Sequence, residues 1–382
     1  MVDQAKALSA VVPATGRPAH GGVRPSDLRA LGLRPEEVLD FSASVSPIGP
    51  PAGVWDALRY VDLGAYPDPQ CLELREALSR HLSRTREVGV ESILAGNGST
   101  ELIHLLARAN LSPPRPGTTN TALLLTPTYG EYQGACDLLG ATVSNLAAEP
   151  GNGFLWDLAE AARRIAAQRP SLVFLCNPNN PTGVFLQSEE VQGLAEATAG
   201  AGALLVVDEA YMSFVDQPWD SLPLLEAGNV VLLRSMTKDY SLTSLRLGYS
   251  LASEEVTQQM AAFQPEWSVN GLAQAAGLAA LADSGYLPRS REAVAQAKAF
   301  LTERLAALGF TVHPSAANFL LVRVGDASSW HDRLKRRGLF VRDCTSFGLP
   351  EHVRLGIRPL SDCRRLVETM KSLLGDLPPP LS

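Results

Sequence analysis

Four short, uninterrupted apolar runs constrain this chain more than any other feature: Ala122–Leu125, Leu172–Cys176, Ala203–Val207 and Val230–Leu233. A strand with one wet face alternates apolar and polar residues, whereas a continuous run suits a strand covered on both faces. Helical patterns flank these runs, with apolar residues at three- and four-residue intervals in Leu72–Leu82, Glu101–Ala109, Trp156–Ala167, Glu189–Ala197 and Leu272–Leu281. Alternating helices and strands predict an α/β fold with a mainly parallel central sheet sandwiched by helices.

The chain changes character on both sides of this core. Residues 1–50 are rich in Pro and Gly and read as an N-terminal arm joining a small domain, with one short helix near Pro25–Leu31. Residues 51–255 are expected to form the large domain. Residues 256–382 read as a small C-terminal α+β domain. Its elements are a long Ala-rich helix at Arg291–Leu308, strands near Phe310–His313, Phe319–Val322 and Leu339–Arg342, a helix at Trp330–Arg337 and a last helix after Asp362. The closing Pro378-Pro379-Pro380 reads as a frayed end.

Composition narrows the function classes. A net charge of -7 gives no electrostatic reason to expect nucleic acid or an anionic membrane as partner. No stretch approaches the roughly 20 apolar residues of a membrane helix, and Met1–Ala19 lacks the apolar core of a secretory signal. Cys71, Cys136, Cys176, Cys344 and Cys363 are odd in number and scattered, which reads as idle thiols in a reducing cytoplasm. The histidines lack metal-ligand spacing, so no metal is expected.

Chemistry enters at two strand ends. Asp208, in Asp208-Glu209-Ala210-Tyr211, closes one apolar run; Lys238, in Ser235-Met236-Thr237-Lys238, follows another. An acid and an amine delivered by two strand ends suggest one crevice at the carboxyl edge of a sheet. An amine that forms a Schiff base, paired with a carboxylate that can hold a pyridinium nitrogen, is what pyridoxal phosphate chemistry needs. Gly96-Asn97-Gly98-Ser99-Thr100-Glu101 leads into a helix, where it either presents backbone N–H groups to an anion or is an ordinary start capped by Ser99 or Thr100. Asn177-Pro178-Asn179-Asn180-Pro181-Thr182-Gly183 is by itself a turn signal, but at a strand end it can place an amide over a cofactor ring. Arg246, in Arg246-Leu247-Gly248-Tyr249, could fork a phosphate.

In this order the motifs resemble fold-type I pyridoxal phosphate enzymes of the class I/II aminotransferase superfamily, from about His20 to Arg364. The resemblance implies that Lys238 carries the cofactor and that Asp208 keeps the pyridine nitrogen protonated. It implies further that Tyr211 and Asn180 bind the ring oxygen, and that Ser99, Thr100, Ser235 and Arg246 hold the cofactor phosphate. Tyr129 would stack on the ring. Tyr66 would cross to the neighbour's phosphate in a homodimer with shared active sites.

Within the superfamily the chain is most similar to L-threonine-O-3-phosphate decarboxylases of cobalamin biosynthesis, then to histidinol-phosphate aminotransferases. That likeness rests on His20-Gly21-Gly22, Leu39-Asp40-Phe41-Ser42, Glu266-Trp267-Ser268-Val269-Asn270, and Val341 through Phe347 followed by His352-Val353-Arg354. It implies that Arg342 and Arg354 bind a substrate carboxylate and that His20 contacts a substrate phosphate. Ser44 and Ser46 stand where the family usually has asparagines, and Asp239–Ser244 also departs from its pattern. Ser44 is kept as a substrate contact, since these changes fall around the substrate and not the cofactor.

The expectation is a dimeric, cytoplasmic pyridoxal phosphate enzyme acting on an L-amino acid that carries a phosphate. Decarboxylation of threonine phosphate ranks first. Transfer of an amino group from a histidinol-phosphate-like substrate to 2-oxoglutarate is the alternative, and a non-catalytic pyridoxal phosphate-binding protein is remote.

Overall fold

The computed structural model describes residues 20–83 and 86–375; the Met1–Ala19 segment and the terminal prolines lie outside the described residues. A two-residue strand, Leu39–Asp40 (β1), precedes the central sheet. The sheet is built from Ile93–Asn97 (β2), Thr119–Thr126 (β3), Thr142–Ala147 (β4), Pro170–Cys176 (β5), Leu204–Asp208 (β6), Val230–Arg234 (β7) and Leu247–Leu251 (β8). Its order is β2-β8-β7-β6-β5-β3-β4. Every pairing is parallel except those of β8, which runs antiparallel to both neighbours.

The apolar runs behave as their composition dictates. Every residue of β5 and β6 is buried, with side chains alternating between two helical layers. Val173, Leu175, Leu205 and Val207 join one core with Ile165 and Leu194. Leu172, Phe174, Leu204 and Val206 join the other with Leu102 and Leu106. The helices at Pro25–Leu31 and Leu72–Leu82 have the predicted bounds. The helix expected from Trp156 starts instead at Leu158, because Asp157 accepts the Glu160 N–H at 2.9 Å and caps it.

Five more strands follow: Thr311–Val312 (β9), Phe319–Arg323 (β10), Leu339–Phe340 (β11), Arg342–Asp343 (β12) and His352–Gly356 (β13). Four of these strands order as β12-β13-β10-β9, all antiparallel. Leu301 and Leu305 of the helix Tyr286–Ala307, and Leu366 and Met370 of the helix Leu360–Gly375, share a core with Val353 and Leu355. The single strand expected at Leu339–Arg342 is divided at Val341. Leu339 and Phe340 pair in parallel with β1, whereas Arg342 and Asp343 pair with β13. The N-terminal segment is therefore stitched to the C-terminal region by backbone hydrogen bonds. Among the described residues no helix is long and apolar enough to cross a membrane.

Candidate active site

The sheet's register gathers the site. Cys176 lies opposite Asp208, and Asp208 opposite Leu233, so β5, β6 and β7 end side by side. The loop from Asn177, the carboxylate of Asp208 and the turn from Ser235 to Lys238 thus leave one edge of the sheet. Because β8 runs the other way, it begins at that same edge. Its Leu247 pairs with Asn97, which brings Arg246 beside Gly98. Every site residue predicted above except Tyr66 lines one cleft of about 680 Å³. Tyr66 is 81% exposed and stacks on Trp267, with ring centroids 4.5 Å apart.

Asp208 is buried, and its two oxygens accept from Tyr132 Oη at 2.7 Å and from the Ala210 N–H at 3.0 Å. Burial pushes its carboxyl up to about 6 against the pull of those two hydrogen bonds. For Lys238 burial acts in the opposite sense. Together with the nearby guanidiniums of Arg354 and Arg246, it pulls the amine down to about 8. A neutral amine is the form that attacks a carbonyl. The rate at which cofactor-free protein captures pyridoxal phosphate should therefore climb with pH and level off just above 8. A rate still rising almost tenfold per pH unit at about pH 9 would show an ordinary lysine.

The helix Gly98–Leu111 carries no side-chain cap; Asn97 is its N-cap residue, and neither Ser99 nor Thr100 serves as one. Its first N–H groups are therefore available to an anion. Gly98 has φ +73°, and a Cβ there would sit 2.6 Å from Arg246 Nη2. A Cβ on Gly248 would sit 2.6 Å from the Ser99 nitrogen. The helix start, Ser235 and Arg246 thus form a close-fitting cradle on the side of Lys238 away from Asn180. A pyridoxal phosphate fits this arrangement: anion donors at one end, a buried carboxylate at the other, and an amine between them.

The opposite wall is cationic. Arg354 and Arg342 are direct cross-strand partners on β13 and β12. The Arg354 Nη1 donates to Asn180 Oδ1, its Nη2 donates to the Ser42 carbonyl at 2.8 Å, and its Nε is buried without a partner. Arg342 donates to the Asp343 carbonyl and to Ser346 Oγ, both at 2.6 Å. Burial, and then Arg354, hold the Arg342 guanidinium below its usual range. Ser44 is buried at the cleft with its hydroxyl unpartnered.

His20 and His104 direct Nε2 at the two oxygens of Glu131, at 2.5 and 3.0 Å. These bonds, His104 first, hold the Glu131 carboxyl down to about 2. No motif in the sequence marks Tyr132, His104 or Glu131. Two of them lie within three residues of Tyr129 in Tyr129-Gly130-Glu131-Tyr132, and that short spacing is their one signal.

The "Aminotransferase class I and II" family pattern matches residues 36–370. A histidinol-phosphate aminotransferase from Symbiobacterium thermophilum is 36% identical over 91% of this chain and 93% of its own. The threonine-phosphate decarboxylase of Salmonella typhimurium is 32% identical over 94% of this chain and 98% of its own. The solved histidinol-phosphate aminotransferase of Sinorhizobium meliloti, in complex with pyridoxal-5'-phosphate, superposes with a TM-score of 0.81. That pair is 25% identical, over 97% of this chain and 100% of the other. The fold is that of the fold-type I pyridoxal phosphate enzymes. The chain belongs to the class I and II aminotransferase family, whose cofactor is pyridoxal phosphate.

Proposed function

We propose that the chain is an aminotransferase that passes an amino group from a phosphate-bearing amine of the histidinol-phosphate kind to 2-oxoglutarate. The likeness in His20–Gly22 and Val341–Phe347 ranks the decarboxylase first, but identity along the whole chain favours the aminotransferase.

The observation that carries the reading is Arg354. Its guanidinium is buried at the cleft wall, its acceptors are neutral oxygens, and no carboxylate pairs with it among the described residues. A buried cation in that state calls for an anion, and a planar fork suits a carboxylate. Because Arg354 is hydrogen-bonded to Asn180, it holds the carboxylate of 2-oxoglutarate, since histidinol phosphate has none, on the β5 side of Asp208. Lys238 stands on the β7 side, left to move the proton at Cα.

The cofactor, when bound, supplies an electron sink for the charge left at Cα. Of the chain's own groups, Lys238 would hold the cofactor and shuttle the proton, and Asp208 would hold the ring nitrogen. Tyr211 and Asn180 would bind the ring oxygen, and Tyr129 would stack on the ring. Ser99, Thr100, Ser235 and Arg246 would hold the phosphate. Arg342 and Ser44 complete the substrate wall, and His20 meets the substrate's phosphate. Tyr66, exposed in company with Trp55, Tyr60 and Leu63, reaches the cleft of a second copy in a homodimer.

The test is a half-reaction of the pyridoxal phosphate-loaded protein with L-histidinol phosphate and no oxo acid. Stoichiometric conversion to pyridoxamine phosphate, reversed by 2-oxoglutarate, is expected. Sustained CO2 release from L-threonine phosphate with the cofactor unchanged would overturn the proposal in favour of decarboxylation.

A further inference from the structure

We propose that Tyr132 is a positioning residue for the cofactor's ring nitrogen, acting through Asp208 and tying that carboxylate to the stacking ring of Tyr129. The inference rests on the reading of Asp208 given above and adds a residue to it. Tyr132 projects from the helix Glu131–Asp137 and is fully buried. Its ring lies nearly flat on Phe174, centroids 4.9 Å apart at 13°, and meets Tyr129 edge-on at 5.7 Å and 84°. Its hydroxyl donates to Asp208 Oδ2 at 2.7 Å.

Phenylalanine would fill the same niche against Phe174, so packing alone does not explain the hydroxyl. A hydroxyl buried without an acceptor is unfavourable, and here Asp208 supplies the acceptor. Burial raises the phenol well above its ordinary range, so it remains a donor at every working pH. The second donor to Asp208, the Ala210 N–H, belongs to the backbone, which leaves Tyr132 as the side chain that tunes this carboxylate. A donor on Oδ2 favours the ionised form. An ionised Asp208 in turn holds a proton on the ring nitrogen facing it. The same ring fixes Tyr129, so the group beneath the nitrogen and the group covering the ring share one support.

The experiment compares binding of pyridoxal phosphate with that of its deaza analogue, in which CH replaces the ring nitrogen, to cofactor-free protein. Tyr132→Phe should weaken pyridoxal phosphate binding about tenfold, the scale of one hydrogen bond to a charged group, and leave the analogue unchanged. Equal weakening of both ligands would reduce Tyr132 to a packing role, and no change in either would also overturn the proposal. Asp208→Asn separates this from the reading beneath it. If Asp208→Asn leaves the preference for pyridoxal phosphate intact, the role of Asp208 itself fails. If it removes the preference while Tyr132→Phe does not, only the Tyr132 proposal fails. In the Asp208→Asn background Tyr132→Phe should add nothing. Should Tyr132→Phe not fold, 3-fluorotyrosine at position 132 keeps the ring and strengthens the donor. It should then raise the preference, and an unchanged preference would sink the idea.

Discussion

Protein carrying Lys238→Ala should lose the yellow absorption of the bound cofactor and turn over at least roughly a thousandfold more slowly. Two separate functions are removed at once: the covalent hold on the cofactor, and the base that moves a proton at Cα, which alone contributes about 10²–10⁴-fold. No other lysine lines the cleft, so none of the described residues can substitute. The variant should nevertheless fold. Burial and two guanidiniums disfavour the charged amine in the free protein, so removing it relieves a cost. A melting temperature equal to or above that of the cofactor-free parent, with the absorption gone, separates the chemical role from misfolding. Partial rescue of the half-reaction by a small exogenous amine would identify proton transfer as the lost step. An unchanged spectrum would remove Lys238 from the site altogether.

How much of this was legible follows from where the physics is local. The apolar runs of β5, β6 and β7 carry their own evidence, because burial on both faces demands continuity in the sequence. The strands β4, β8 and β13 lack that signature. The edge strand β4 reads Thr142-Val143-Ser144-Asn145, β8 is interrupted by Gly248 and Ser250, and β13 is His352-Val353-Arg354-Leu355-Gly356. Each is a strand because of its neighbours. Gly248 is tolerated in β8 because a side chain there would strike the Ser99 backbone, a constraint invisible until β2 and β8 pair. The division at Val341 likewise depends on β1, some 300 residues earlier in the chain. The residues predicted for the site carry motifs in a recognisable order, and all but Tyr66 line one cleft. Tyr132 and Glu131 carry no such motif: they hydrogen-bond Asp208, and His20 and His104, and sequence separation hides such pairings.

Arg354→Met should lower kcat/KM for the oxo acid and for its amino acid by a factor of about 30 to several thousand. That corresponds to about 2–5 kcal/mol for deleting one member of a buried, hydrogen-bonded charge pair. The sign for stability should differ. In the ligand-free protein Arg354 is a buried cation directly across the strand pair from Arg342, and like charges in that position repel. Its Nε has no acceptor, so the guanidinium is incompletely compensated even within its own hydrogen-bond set. Methionine keeps the contact over the Phe319 ring, 5.2 Å from the guanidinium carbon in the parent, and frees the Arg342 side of the wall from repulsion. Asn180 and the Ser42 carbonyl lose a donor, but both border the cleft or its lining and can be hydrated. The substituted protein should melt no lower than the parent when no anion is present. Adding a dicarboxylate should then raise the melting temperature of the parent by linkage and leave that of the variant nearly unmoved. Arg354→Lys, which keeps the charge but not the fork, should fall between the two in kcat/KM. Equal stabilisation of parent and Arg354→Met by the dicarboxylate would place the carboxylate elsewhere in the cleft, and with it the orientation that favours proton transfer over loss of CO2.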